Sequence, residues 1–148
     1  MSTPAEVKLL EVRSLRVDFP TRRGTLVAVD DVSFEIKAGE VLGVVGESGA
    51  GKSLTGAAIM GLLEPPGRIS GGEVRLDGRR IDNLAQEQIR QIRGREIGMV
   101  FQDPLTSLNP LLRVGEQLIE TLQTHVNLDD KSARNQAIDW LTEVGIPS

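Results

Sequence analysis

Residues 46–53 read Gly-Glu-Ser-Gly-Ala-Gly-Lys-Ser and directly follow the apolar run 41–45. This G-x-x-x-x-G-K-S spacing predicts a strand, a tight loop and a helix in immediate succession. Glycines let the backbone pass close to an anion, which successive N–H groups and the positive end of the helix then surround. The pattern therefore indicates an α/β fold and a site for the phosphates of a nucleoside triphosphate.

Within this loop, two side chains have predicted chemical roles. The Lys52 ammonium would reach the outer phosphates as a point charge, and the Ser53 hydroxyl would complete a Mg²⁺ shell. The alternative is a glycine-rich turn in which Lys-Ser is incidental surface, and the strand before and helix after the loop disfavour it. The residues assigned to nucleotide binding are Gly46, Glu47, Ser48, Gly49, Ala50, Gly51, Lys52, Ser53 and Leu54.

Composition excludes several other classes of function for this 148-residue chain. A net charge of −4 and only 3% aromatic residues disfavour a generic nucleic-acid grip. The chain has no cysteine, which excludes disulfides and thiolate metal sites, and its one histidine, His125, is predicted to be a solvated helix-end residue. No segment approaches the ~20 apolar residues of a membrane span, and the N-terminus lacks the features of a signal peptide. We expect a soluble chain.

Hydrophobic periodicity predicts the strands and helices around the loop. Alternation of apolar and polar residues predicts half-buried strands at 10–19, 32–36 and 72–78. Uniformly apolar runs predict strands buried on both faces, as in a parallel sheet, at 41–45 and 97–101. Helical spacing and stop residues predict helices at 52–63, 86–93, 115–125 and 130–144.

A second motif covers residues 100–110 and reads Val-Phe-Gln-Asp-Pro-Leu-Thr-Ser-Leu-Asn-Pro. Together with residues 46–53, it resembles the ATP-binding subunit of an ABC transporter, most closely the dipeptide, oligopeptide and nickel importers. The resemblance extends from the strand at 10–19 to residues 139–146. It implies an α/β fold, in which a partial P-loop NTPase core is joined to an antiparallel β-lobe and the start of a helical subdomain.

The same resemblance implies a domain organisation. Residues 1–148 would form the N-terminal part of an ABC-transporter nucleotide-binding domain. The β-lobe and P-loop core would occupy about 1–103, and the Q-loop with the start of the helical subdomain about 102–148.

By this resemblance Gln102 is the glutamine of the Q-loop, whose amide oxygen ligates Mg²⁺ or orients the attacking water. Lys52 and Gln102 are therefore the implied catalytic residues, and Ser53 and Gln102 the implied Mg²⁺ ligands. Phe19 stands where most members of the family have a tyrosine that stacks on adenine. From the residues alone, Phe19 is equally a core-facing strand residue in step with Leu15 and Val17.

Two stretches imitate further motifs of the family at the wrong place in the chain. Residues 69–73, Ile-Ser-Gly-Gly-Glu, resemble the signature motif, but they precede both a predicted strand and the Q-loop, so we expect a turn there. Asp103 after the run 97–101 imitates a Walker B aspartate, but it is out of register and is expected to be a loop or capping residue.

After Asn109 the sequence shows no signature motif, no Walker B strand and no switch histidine. Phosphoryl transfer needs the positioning and charge neutralisation that these elements supply together. We therefore expect the chain to correspond to roughly the N-terminal half of such a subunit. By itself it would bind ATP and Mg²⁺ without hydrolysing the nucleotide, and it would be marginally stable.

The implied function of the complete protein is ATP hydrolysis that powers import of a small solute, peptides first, through a membrane permease. The implied partners are integral-membrane permease subunits and a second, identical or different, ATP-binding subunit. The location would be peripheral, at the cytoplasmic face of the inner membrane, without direct nucleic-acid contact. Leu111, Leu112 and Val114 are candidate permease contacts or core residues. Two alternatives stay open: a soluble ABC-type ATPase acting on nucleic acid or ribosomes, and a nucleotide-binding module without turnover.

Overall fold

The computed structural model describes residues 8–102 and 107–146. These residues fall into two compact units, the first ending at Arg93 and the second beginning at Gly94. Asp103, predicted to be a loop or capping residue, lies outside the described residues.

The first unit contains a four-stranded antiparallel sheet in the order β2-β1-β3-β4. Its strands are β1 (Lys8–Thr21), β2 (Gly24–Lys37), β3 (Arg68–Leu76) and β4 (Arg79–Arg80). Buried apolar residues of β1 and β3 form the core of this unit, among them Val12, Leu15, Val17 and Val74. The three half-buried strands and the antiparallel β-lobe predicted from the sequence are confirmed.

Residues 69–73 lie inside β3, so the predicted turn at this place is wrong. Gly72 has a φ of +82°, and a Cβ atom there would lie 2.3 Å from the carbonyl oxygen of Ser14. Only glycine fits, because β3 passes this point in close contact with an irregularity of β1, where Ser14 itself has a φ of +46°. The prediction that this stretch does not open a helix is confirmed.

The first unit also contains helices α1 (Lys52–Ile59) and α2 (Gln86–Ile92). Helix α1 is shorter than the predicted 52–63, because Gly61, with a φ of +63°, turns the chain out of the helix. The guanidinium of Arg93 donates to the carbonyl oxygens of Met60 and Gly61, at 2.7 and 2.5 Å. These bonds satisfy carbonyl groups that the end of the helix leaves without a partner.

The two apolar runs predicted to be buried strands, 41–45 and 97–101, do not form strands, so both predictions are wrong. Their most exposed side chains are Val41 at 95%, Val45 at 93% and Val100 at 97%. A strand forms only where a neighbour satisfies its backbone N–H and C=O groups. Within the described residues, the run 41–45 pairs with no strand, and the run 97–101 has only an isolated bridge at Ile97. Without a continuous partner, apolar sequence alone does not make a strand.

The second unit is built on helices α3 (Val114–His125) and α4 (Asp130–Glu143), as the sequence predicted. They pack through a small core of Leu122, Ala133 and Ala137. His125 lies at the end of α3, as expected. It is half-buried rather than solvated, because its ring lies against Gly94: a Cβ there would be 2.5 Å from Nε2. Within the described ranges, no helix has the length and apolarity needed to cross a bilayer.

Candidate functional site

Helix α1 presents an open N-terminus directly after the loop at 46–53. Its first intrahelical hydrogen bond runs from the Thr55 N–H to the Gly51 carbonyl at 2.8 Å, so the N–H groups of the preceding residues have no helical acceptor. No side chain caps this end, and its first turn has no acidic residue. The other described helices each have an acidic residue in the first turn. Partial positive charge is therefore left uncompensated at α1.

Glycine conformation shapes the loop itself. Gly49 and Gly51 have φ values of +85° and +86°, which residues with a side chain rarely adopt. Gly51 also lies against β2, since a Cβ there would be 3.0 Å from the Ala28 carbonyl oxygen and 3.2 Å from Cγ2 of Val29. The last glycine of the motif is thus required both by its backbone angle and by close packing on the sheet.

Lys52 is folded back over the loop. Its Nζ donates to the carbonyl oxygens of Gly46 and Glu47, each at 2.6 Å. At the base of the loop, the Thr55 hydroxyl donates a further hydrogen bond to the Gly51 carbonyl at 2.9 Å. The ammonium group is therefore held at the concave side of the loop by oxygen acceptors, and phosphate oxygens are acceptors of the same kind with greater charge.

The donor set of this loop fits a nucleotide phosphate with a bound divalent cation. The free N–H groups of α1 and the Lys52 ammonium supply donors and positive charge for phosphate oxygens. The Ser53 hydroxyl is exposed at the second position of α1, where an oxygen ligand for Mg²⁺ is available. Residues 46–50 are exposed, whereas Gly51, Lys52 and Leu54 are half-buried. All nine residues predicted to bind the nucleotide lie in this loop and the first turn of α1, and their roles stay predictions.

An apolar cavity of about 340 Å³ lies next to the loop. Val32 and Phe34 of β2, Val44 and Val45 of the apolar run, and Ile59 of α1 are among its lining residues. This pocket is partly open to solvent, and Val44 and Val45 in its lining are exposed. The described residues therefore leave apolar surface between the loop and the sheet uncovered.

Phe19 lies near the end of β1, paired with Leu26 of β2. Its side chain is half-buried, and its ring lies against Gly67, where a Cβ would be 2.6 Å from Cε1. The residue before it, Asp18, is 6% exposed and accepts a 2.9 Å hydrogen bond from Arg68. Hydrogen bonds from Arg68 and Ser70 hold the pKa of Asp18 below its usual value, although burial opposes this.

The sequence did not predict the contact between Phe19 and Gly67 or the pair between Asp18 and Arg68. These residues are about fifty positions apart, and the Pro-Pro-Gly sequence at 65–67 indicates only a turn. Their juxtaposition follows from the pairing of β1 with β3, in which Asp18 stands opposite Arg68. No pattern within a short stretch of sequence predicts how β1 and β3 are aligned.

Gln102 belongs to the second unit, where it lies in a bend and is exposed. The following residues 103–106 of its loop lie outside the described residues. The role of Gln102 beside Lys52 and Ser53 stays a prediction.

A protein-family model described as "ABC transporter" matches residues 29–148, which include the loop and Gln102. This match covers most of the chain. It bears out the resemblance that residues 46–53 and 100–110 indicated.

Three curated relatives illustrate the similarity. The oligopeptide transport ATP-binding protein OppD of Escherichia coli (strain K12) is 49% identical over 139 residues, which are 94% of this chain and 41% of that protein. OppD of Bacillus subtilis (strain 168) is 44% identical, with 95% and 39% covered. The dipeptide transport ATP-binding protein DppD of E. coli (strain K12) is 42% identical, with 94% and 42% covered. The chain spans only about two fifths of the length of these relatives.

Two solved structures share the fold. The dimeric structure of MJ0796, a bacterial ABC transporter cassette, superposes with a TM-score of 0.76 at 26% identity, and 90% of this chain and 56% of that chain are covered. A dimeric post-hydrolysis state of the same cassette bound to ADP and phosphate gives a TM-score of 0.74 at 24% identity, with the same coverage. These likenesses confirm the α/β fold predicted from the sequence as part of an ATPase core.

Proposed function

This chain belongs to the ABC transporter family, and on that premise we propose that residues 46–53 bind the phosphates of ATP. The observation that carries the proposal is the loop geometry. An uncapped helix N-terminus, two glycines with positive φ and a lysine ammonium all converge on one concave backbone segment. A backbone of this kind favours an anion over any neutral ligand.

We propose Mg²⁺ as the accompanying ion. Ser53 would supply a hydroxyl oxygen and Gln102 an amide oxygen. Phosphate oxygens and several waters would complete the shell, since Mg²⁺ prefers oxygen donors and keeps several of its waters. Lys52 and Gln102 would act on the reaction, the first through charge at the outer phosphates and the second through the ion or the attacking water. Phe19 would stack on the adenine.

For the complete protein we propose ATP hydrolysis that drives import of peptides. Support comes from the relatives, which are oligopeptide and dipeptide transport ATP-binding proteins at 42–49% identity. The partners would be integral-membrane permease subunits and a second ATP-binding subunit, and the location the cytoplasmic face of the inner membrane. The exposed Leu111, Leu112 and Val114 of the second unit would contact the permease. The domain boundaries near residues 102–103 are proposed with the same support.

Peptide uptake tests the transport proposal directly. Cells whose gene for this protein carries Lys52→Ala should lose uptake of a radiolabelled oligopeptide, while uptake of an unrelated sugar continues. Lys131→Ala, an exposed lysine on α4, is the matched control and should leave peptide uptake unchanged. Normal peptide uptake by the Lys52 variant would refute the proposal.

Affinity purification distinguishes the transport proposal from the first alternative, a soluble ABC-type ATPase that acts on nucleic acid or ribosomes. A tagged protein should recover a membrane permease, whereas recovery of nucleic acid or ribosomes instead would favour a soluble ATPase. An assay of vanadate-sensitive ATP hydrolysis by the 148-residue chain alone tests the expectation that this chain binds ATP without hydrolysing it. We expect none, and clear turnover would show that this chain contains a complete catalytic set.

A further inference from the structure

The ring of Phe19 is supported from one side by backbone. Gly67 lies so close that a Cβ added to it would be 2.6 Å from Cε1 and 2.9 Å from Cζ of the ring. Gly67 does not have a positive φ, so its backbone angle does not require glycine. The absence of a side chain at residue 67 is therefore explained by close approach, to the Phe19 ring and to the Glu64 carbonyl oxygen at 2.9 Å.

Strand pairing fixes this contact. Asp18 and Arg68 stand opposite each other in β1 and β3, and the Arg68 Nε donates to the Asp18 carboxylate at 2.9 Å. Phe19 follows Asp18, and Gly67 precedes Arg68. Because the two strands run antiparallel, the residues next to the Asp18–Arg68 pair, Phe19 and Gly67, also lie opposite each other. A charge-assisted hydrogen bond on a buried carboxylate resists any slip of this register.

The ring also lies on the sheet face that meets the nucleotide loop. Val17 pairs with Val29, and the Cγ2 of Val29 lies 3.2 Å from the position of a Cβ on Gly51. Residues two apart in a strand point to the same face, so Phe19 shares the face of Val17 and lies ~7 Å further along β1. One side of the ring is covered by Gly67, and its half-buried state leaves another side open.

We propose that Gly67, held in register by the Asp18–Arg68 pair, is a positioning residue that sets the Phe19 ring for the nucleotide base. This inference rests on the proposed ATP site. Gly67 acts through the ring and touches no phosphate, so its effect is confined to ligands that carry a base. A triphosphate without a base uses the loop at 46–53 alone.

Two ligands test the proposal by equilibrium dialysis of the purified chain: MgATP, and inorganic tripolyphosphate as the competitor that lacks a base. Gly67→Ala should weaken MgATP binding by about fivefold or more, the scale of losing a base–aromatic stack, and leave tripolyphosphate binding unchanged. Gly71→Ala, four residues further along the chain in β3, is the matched control. Its φ is also ordinary and its Cβ would be 3.4 Å from the Arg16 Cβ, so neither affinity should change.

Phe19→Ala is the second variant, and it should weaken the binding of MgATP but not that of tripolyphosphate. In its background Gly67→Ala should have no further effect on MgATP, because the ring through which the glycine acts is gone. Thermal melting confirms that each variant is folded. Equal weakening of both ligands by Gly67→Ala, no weakening at all, or an effect that persists without the ring would overturn the proposal.

Failure of the ATP site itself has a different signature. In that case Lys52→Ala would leave the affinities for both MgATP and tripolyphosphate unchanged.

Discussion

Lys52 donates a 2.6 Å hydrogen bond from its Nζ to the carbonyl oxygen of Gly46, the first residue of the loop in which both lie. A second bond of the same length reaches the next carbonyl, that of Glu47. The lysine therefore closes the loop on itself. In the proposed ATP complex, phosphate oxygens would replace these two neutral acceptors with charged ones, which would favour the bound state.

Lys52→Ala should weaken binding of a non-hydrolysable ATP analogue at least tenfold, about 1.4 kcal/mol, because the point charge for the outer phosphates is lost. Isothermal titration calorimetry measures the affinity. Lys131→Ala, which changes the net charge equally but lies on α4, should bind like the unmodified chain. Unchanged affinity of the Lys52 variant would mean that the loop does not hold phosphate.

Gly51→Ala should lower both stability and nucleotide affinity. Its φ of +86° costs an alanine about 1 kcal/mol, and a Cβ 3.0 Å from the Ala28 carbonyl adds strain that moves the loop away from β2. Gly39→Ala is the matched control, since its φ is +77° but no atom lies within 4 Å. Urea unfolding should show a larger loss of stability for Gly51→Ala than for Gly39→Ala, and only Gly51→Ala should weaken ATP binding. Equal losses would exclude the close approach as the cause.

Gly72→Ala should destabilise the sheet by about 2–3 kcal/mol, because its Cβ would overlap the backbone of Ser14 at a φ that alanine disfavours. Gly71→Ala, on the adjacent residue with an ordinary φ, should cost much less. The folded fraction of each variant should bind ATP normally, since β3 has no signature-motif role. Thermal melts and ATP titration measure the two effects. A loss of ATP affinity without a loss of stability would contradict the structural role of residues 69–73.

Acid should destabilise the first unit partly through Asp18. The Arg68 guanidinium holds the pKa of this carboxyl below its usual value of 3.8 in the folded state. A lowered folded pKa contributes stability above the unfolded value, and this stability is lost as the pH falls from about 4 toward the folded pKa. The urea midpoint of the unmodified chain should therefore drop more between pH 6 and pH 3 than that of Asp18→Asn. Asp139→Asn, an exposed site on α4, should follow the unmodified chain.

Local sequence predicted the elements whose cause is local. Residues 46–53 predicted the loop and the start of α1, because glycine conformation and helix N-termini depend on a few neighbouring residues. Periodicity predicted β1, α3 and α4 within a few residues, since one face of each element is apolar, but it predicted only the second half of β2, which begins at Gly24. The family followed from two motifs, at 46–53 and 100–110, and the comparisons agree with it.

Pairing between distant segments was beyond the sequence. The apolar runs 41–45 and 97–101 have the composition of central strands, but a strand needs a continuous partner for its backbone, and the described residues provide no more than an isolated bridge at Ile97. Residues 69–73 were expected to turn because they precede a predicted strand and the Q-loop. They continue β3 instead, because their glycines let it pass the irregular segment of β1.

The sequence by itself thus determined the glycine-rich loop before α1 and the membership of this chain in the ABC transporter family, because both depend on residues close together in the chain. Only the tertiary structure decided what surrounds that loop. The β1–β3 register brings Gly67 to the ring of Phe19 across about fifty residues, and the folded loop turns Lys52 onto the Gly46 carbonyl. The physical reason is that contacts of this kind are set by strand register and close packing, which no short segment encodes alone.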